Sequence, residues 1–328
     1  MYKKVIILPY FGDFPKYIDL FIKSCEYNQD YDFLIISDNE MLIELPKNIK
    51  KIKMTFEECK NLICTKIKKR VDLNEPYKLC DYRPSYGIIF QDYIKEYNFW
   101  GYCDCDMILG KLSNFLKNNI FEKYDKILIQ GHLTFYRNTD KVNHYYYLES
   151  NKYITFEEAI SIQEPCFFDE ISMPNILKEN KIKQYENYNF LDILPQYSNF
   201  RLSKICSQDN EIGACYYWKN GSVYMQYTDK DNQKVNKEFM YIHFQKRKMP
   251  MNDVSNKDSM FFISANGFTK NIMKEKANRR NINYYVSQIK KININRIKIK
   301  IVIKLKRKIF KIGGNKNEDR NINFTQSP

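Results

Sequence analysis

Two carboxylates spaced two residues apart, Asp104 and Asp106, lie inside Gly101-Tyr-Cys-Asp-Cys-Asp-Met-Ile-Leu-Gly110, at the end of an apolar, aromatic run. In an extended strand successive side chains alternate faces, so this spacing turns both acids one way and Cys103 and Cys105 the other. Paired hard oxygens are a clamp for Mg2+ or Mn2+, and an ion held there can hold a diphosphate in turn. The pattern predicts chemistry on a nucleotide, with a thiolate site at Cys103 and Cys105 as the lesser alternative. His243, in Tyr241-Ile-His-Phe-Gln-Lys-Arg-Lys-Met-Pro250, follows a strand-like run. It reads either as a further Mn2+ ligand or as an ordinary strand-end histidine, and Lys246 and Arg247 behind it would neutralise a departing diphosphate. Asp169 and Glu170 follow the aromatic pair Phe167-Phe168. They offer a catalytic base or ligands for acceptor hydroxyls, or else mark a helix start or an exposed loop. His132, after Gly131, would touch an acceptor sugar or a phosphate, or simply pack at a strand end.

The elements that must position these groups read as an α/β beginning. Residues 3 to 8 are a short apolar run closed by Pro9-Tyr-Phe-Gly12, a buried first strand and its turn. A helix follows, with Phe14, Tyr17, Ile18, Phe21, Ile22 and Cys25 at helical spacing and Asp13 as its N-cap. Further strands are expected over 32–37 and 49–54, then a helix from Thr55 to Arg70 and another from Pro84 to Tyr97 leading to the strand of the Asp pair. Lys126 to Gln130 predicts one more strand ending at Gly131-His132, and later strands are expected at 222–227 and 238–243. In open α/β sheets ligands bind beyond the carboxyl ends of the strands, where Pro9 to Gly12, Asp38, the Asp pair and His132 would converge. The chain has neither the Gly-x-Gly-x-x-Gly nor the Gly-x-x-x-x-Gly-Lys-Ser/Thr fingerprint, so a divalent ion is left to do the phosphate work.

The 328 residues are 44% hydrophobic and 16% aromatic, enough for a large folded domain. The net charge of +14 sits wholly in the tail, because residues 270–328 carry 17 Lys/Arg against 3 acids while residues 1–269 carry 36 of each. A neutral body with a basic tail argues against nucleic-acid wrapping and for a catalytic body whose tail meets an anionic surface. Isoleucine and lysine interleave from 289 to 312 with both strand-like and helical periods; a basic amphipathic helix on anionic lipid is one reading and a solvated extension the other. Residues 313–328 are expected to be flexible. No run reaches transmembrane length, Met1-Tyr-Lys-Lys leads straight into a strand, and nine scattered cysteines fit a reducing compartment. The expectation is a cytoplasmic protein, peripheral on the membrane's inner face.

With Leu8-Pro-Tyr-Phe-Gly12, Pro76-Tyr-Lys-Leu-Cys-Asp81 and Gly101 to Gly110 in this order, the chain resembles GT-A type glycosyltransferases carrying an Asp-x-Asp motif. The likeness is to a bacterial group associated with surface or capsular polysaccharide genes, and spans roughly residues 3 to 250. It implies a nucleotide-sugar-binding α/β/α sandwich over residues 1–265, with 266–328 as a basic C-terminal extension. It further implies that Pro9, Tyr10, Phe11, Gly12 and Asp38 surround base and ribose, that Lys78 and Asp81 orient the nucleotide, and that Asp104 and Asp106 bind metal and diphosphate. A late histidine completing the metal shell also resembles retaining members, although Lys246 and Arg247 stand closer to it than the usual lysine. The implied reaction moves a sugar from a nucleotide-sugar, a UDP-sugar above all, to a lipid-linked surface glycan. Nucleotidyl transfer, or a membrane- or nucleic-acid-binding protein with a structural Asp pair, are the alternatives.

Overall fold

A computed structural model describes residues 2–272 apart from 41, 42, 70, 196, 198, 199, 210 and 212, and also residues 301 and 304. The run Val5-Ile-Ile-Leu8 forms the heart of β1 (Lys4–Pro9), buried along its length. An apolar run without alternation is what a parallel strand covered on both faces requires. Parallel neighbours flank it: β2 (Asp32–Ser37), with β3 (Ile49–Lys53) outside, and on the other side β4 (Phe99–Cys103). β5 (Met107–Leu109) leaves this sheet, and β6 (Lys126–Ile127) and β7 (Leu133–Arg137) return to it antiparallel to each other. With the short β8 (Gln184–Tyr185) the sheet has seven strands in the order β3-β2-β1-β4-β7-β6-β8.

Helix α1 (Ile18–Glu26) packs Phe21, Ile22 and Cys25 into the apolar layer on one face. Helix α2 (Phe56–Ile67) packs Cys59, Ile63 and Ile67 into the layer on the other. The fold is thus mixed α/β, as its alternating pattern predicts. A small sheet of β5, β9 (Leu191–Asp192) and β13 (Tyr241–His243) joins this body to an antiparallel sheet. The latter contains β10 (Cys215–Lys219), β11 (Ser222–Thr228), β12 (Lys234–Phe239), β14 (Met260–Ser264) and β15 (Gly267–Thr269). The β14–β15 hairpin crosses the boundary expected at 265, so the folded body runs on to Thr269.

Several local expectations are corrected. Helix α1 begins at Ile18 rather than near Asp13: Pro15 lies in the approach, where its carbonyl accepts from Ile18 N–H at 2.9 Å, and Tyr17 occupies the cap position. Thr55 does cap α2, in a reciprocal capping box with Glu58. The helix expected over 84–97 is instead a 3-10 segment, Pro76–Ser85, one α turn, Tyr86–Ile89, and a second 3-10 turn, Gln91–Tyr93. Pro84 inside the first piece donates no hydrogen bond, which favours this broken path. The strand expected over 126–130 stops at Ile127, where Leu128 turns left-handed (φ 66°), and the return strand β7 went unpredicted. The expected strand 238–243 is two strands in two sheets, broken at Met240, whose N–H donates to Asn189 O at 2.8 Å. The tail expectations for 289–312 and 313–328 fall outside the described residues, apart from 301 and 304.

Among the described residues no helix is long and apolar enough to cross a membrane. At the centre of β4, Gly101 lets β7 approach closely, since a Cβ there would overlap the Thr134 carbonyl oxygen and the Phe135 ring. Gly101→Ala is expected to destabilise the fold by about 1–3 kcal/mol, as overpacked cores do, and urea unfolding will measure it. An unchanged midpoint would show that β4 and β7 separate freely.

Candidate metal centre

β4 ends at Cys103 and β5 begins at Met107, so Asp104-Cys105-Asp106 forms the turn between two sheets rather than part of a strand. The acids nevertheless converge, because tertiary pairing brings His243 to them. β13 runs antiparallel to β5 with His243 opposite Met107, and Phe244 N–H donates to Asp106 O at 2.9 Å. His243 Nε2 stands 3.6 Å from Asp104 Oδ2 and 3.4 Å from Asp106 Oδ1. The other oxygen of each acid is held by the protein: Asp104 Oδ1 by Arg83, and Asp106 Oδ2 by the Lys246 N–H at 2.5 Å. Each carboxylate therefore presents one oxygen to a common point. Asp104, Asp106 and His243 offer ligand atoms within 4.8 Å of one another, and carboxylate oxygen with imidazole nitrogen is a donor set that fits Mn2+, with Mg2+ next.

Asp192 supplies what the sequence did not announce. The parallel pairing of β9 with β13 sets it opposite His243, whose Nδ1 lies 2.9 Å from Asp192 Oδ1. Gln245 Nε2 donates to the second Asp192 oxygen at 2.8 Å. A carboxylate on the rear nitrogen orients the ring and raises its basicity toward a metal. Burial opposes ionisation of Asp106, yet His243 and the Lys246 N–H outweigh it and hold its carboxyl at about 2. Burial also disfavours a charged His243, but Asp106 and Asp192 prevail and raise it well above the ordinary histidine value. The thiols of Cys103 and Cys105 are buried in the apolar layer beneath, and burial pushes both up, which disfavours thiolate ligation.

His132 does not reach solvent as an acceptor-binding residue would: it is 5% exposed. Its ring stacks on His243 at 4.6 Å between centroids, and its carbonyl accepts the Asp104 N–H at 3.2 Å. Burial, with His243 adding to it, lowers His132 to about 4, so it packs as a neutral ring behind the site. Lys78 and Asp81 are likewise buried, 1% and 0% exposed, and paired at 2.7 Å. Lys78 Nζ also donates to the carbonyls of Ala159 and Glu164, while Asp81 accepts the N–H groups of Cys166 and Phe168, each at 2.8 Å. They brace the walls instead of meeting a nucleotide.

A cleft of about 800 Å³ opens in front of the acids, lined by Pro9, Tyr10 and Phe11 after β1 and by Tyr77, Arg83, Lys246 and Arg247. Gly12 and Asp38 are exposed beyond this lining; the loops after β1 and β2 are tied by Asn39 donating to Gly12 O. The Arg247 guanidinium donates to Tyr197 O at 2.7 Å and Ala265 O at 3.3 Å, fixing the segment that carries Lys246. Asp169 and Glu170 sit on a π-helical turn, Phe168–Ser172, a local form frequent at functional sites. They differ in access. Asp169, 1% exposed, binds Arg83 at 3.1 Å, and burial pushes it up to about 8 against the pull of that guanidinium. Glu170 is exposed, its carboxyl raised by desolvation and by Asp104. Gly131 is needed beneath the pair, since a Cβ there would overlap Glu170. Arg83, unremarked in the sequence, thus bridges Asp104 to Asp169.

Two outcomes follow for metal binding. Asp192→Asn should weaken Mn2+ binding about 10–100-fold by calorimetry while the fold persists; equal affinity would mean that Asp192 does not tune His243. Because Asp106 and Asp192 raise His243 above the ordinary histidine value, a metal on its Nε2 should compete with a proton, so Mn2+ affinity should rise with pH and binding should release about one proton. Calorimetry in buffers of different ionisation enthalpy counts it, and no release would refute the protonated resting state.

No curated protein matches the chain. A family model matches residues 6–272, from within β1 to just beyond β15. The chain accordingly belongs to the family described as a family of unknown function, DUF6625.

Proposed function

We propose that this protein is a metal-dependent glycosyltransferase that moves a sugar from a nucleotide-sugar, most simply a UDP-sugar, to a surface glycan carried on a lipid. One observation carries the reading: Asp104 and Asp106 each direct a single oxygen toward His243 Nε2 at the edge of a nucleotide-sized cleft. The acids lie just beyond the carboxyl end of β4, where α/β sheets bind their ligands. Mn2+ or Mg2+ bound there would neutralise charge developing on the leaving diphosphate. Lys246, pinned beside Asp106 by its backbone N–H, supplies a cation on the same side. The aromatic loop after β1, with Tyr10 and Phe14 stacked at 4.9 Å, offers flat apolar surface for a base.

Of the two acids on the π turn, Glu170 is the one with access to an acceptor hydroxyl, while Asp169 holds Arg83 across to Asp104. An accessible carboxylate near Asp104 suits a general base, its affinity for protons raised by desolvation and by that neighbouring charge. The chemistry would proceed at a cytoplasmic membrane surface, where lipid-carried acceptors meet nucleotide donors.

Calorimetry with UDP, with and without Mn2+, tests the reading on the whole chain and on Asp106→Asn. Metal-dependent binding, weakened at least about tenfold in the variant, is the expected result. With a productive UDP-sugar and acceptor, release of UDP supports sugar transfer, whereas release of pyrophosphate would replace it with nucleotidyl transfer. A folded wild-type protein that binds none of UDP, GDP or ADP with Mn2+ would sink the proposal.

A further inference from the structure

The ammonium of Lys246 lies 3.2 Å from the centre of the Tyr77 ring. The two residues come from different parts of the chain, Tyr77 from the start of the 3-10 segment and Lys246 from the stretch after β13, and both line the cleft. Tyr77 is 46% exposed, so its ring is available to a mobile partner rather than locked in a core. The Lys246 backbone is not mobile in this way. Its N–H is bonded to Asp106 Oδ2 at 2.5 Å, and the preceding Gln245 donates to Asp192 Oδ2 at 2.8 Å. Gln245 and Lys246 both hold left-handed conformations (φ 48° and 62°), which only such anchors make tolerable. A four-carbon stem thus extends from an anchored backbone beside Asp106, with its charged end resting on an aromatic face. Asp104 and Asp106 attract that ammonium, yet it rests on the ring.

We infer that Tyr77 is a resting place for Lys246, from which the second phosphate of a nucleoside diphosphate draws the ammonium, so that Lys246 distinguishes diphosphate from monophosphate ligands and the ring contact moderates that preference. The inference rests on the proposed nucleotide site and specifies how the free site holds the cation that a diphosphate would take. A nucleoside monophosphate, one phosphate shorter, leaves Lys246 on the ring. A diphosphate beside Asp106 takes Lys246, and the ring contact is lost. Because the contact exists in the free protein and not in the diphosphate complex, it works against diphosphate binding by its full strength.

The consequence has an unusual sign: removing an aromatic residue from the cleft wall should tighten binding. In calorimetry at fixed Mn2+, Tyr77→Leu should bind UDP roughly three- to tenfold more tightly than wild type, the range expected for one partly desolvated cation–π contact. UMP affinity should not change, and Tyr77→Phe, which keeps the ring face, should match wild type for both ligands. Lys246→Met should bind UDP more weakly, and adding Tyr77→Leu to it should bring no gain, since the coupling is between those two residues. Equal or weaker UDP binding by Tyr77→Leu overturns the inference, as does a gain for UMP or a gain that persists without Lys246. If wild type binds UDP while these differences are absent, the resting contact alone fails. If wild type binds no nucleoside diphosphate with Mn2+, the nucleotide site fails and the inference goes with it.

Discussion

Concentrated negative charge in a partly dry crease is the constraint around which this protein is arranged. Asp104, Asp106 and Asp192 all address one imidazole, and Asp169 and Glu170 stand close enough for their charges to be felt. Carboxylates gathered in this way repel one another and resist burial unless cations answer them. The chain supplies those cations from separate places: Arg83 from the 3-10 segment, and His243 and Lys246 from β13 and the stretch after it. Arg83 and His243 also hold carboxylates in fixed orientations, and Lys246 does so through its backbone N–H, so the residues that balance the charge also set the geometry. A divalent ion bound here would take the place of a proton on His243 in ligands the fold already holds together.

Behind this charged layer stands a second polar hub, fully enclosed. Lys78 and Asp81 pair with each other and satisfy backbone groups from residues 159 to 168, fastening the segment that carries Arg83 to the turn that carries Asp169 and Glu170. Buried ion pairs contribute little net stability compared with apolar packing, but breaking one is costly, so such a pair enforces one arrangement of the segments it joins. Here those segments form the acidic and the basic sides of the crease. His132 does the corresponding work with no charge, stacking on His243 while its carbonyl receives the Asp104 N–H.

Much of the architecture was legible from local pattern. β1 and β2 are unbroken apolar runs closed by polar turns, and α2 begins at a Thr with Glu three residues later, each feature acting through neighbours in the chain. Where pattern failed, a proline or contacts between distant segments had overridden it. The periodicity over 84–97 is helical, yet Pro84 lies near the end of the first 3-10 piece and the stretch divides into a 3-10 segment, one α turn and a second 3-10 turn. The run 238–243 reads as one strand but serves two sheets, because Met240 pairs with Asn189 and Gly110 instead of continuing the ladder.

The sequence by itself determined the chemical vocabulary of the site: two acids two residues apart, a late histidine with cations after it, and an aromatic turn after the first strand. Residue type and short spacing suffice for that, since ligand hardness and charge belong to the side chains themselves. Which carboxylates stay accessible was decided only in three dimensions. Asp169 and Glu170 are adjacent and chemically alike, yet one is buried on Arg83 and the other open, because the π turn faces them differently. Lys78, Asp81 and His132 carry groups suited to substrates and are consumed inside the fold, whereas Asp192, in no motif, is placed on His243 by strand pairing across 51 residues. Burial and partner choice are properties of contacts between distant segments, and no local pattern encodes them.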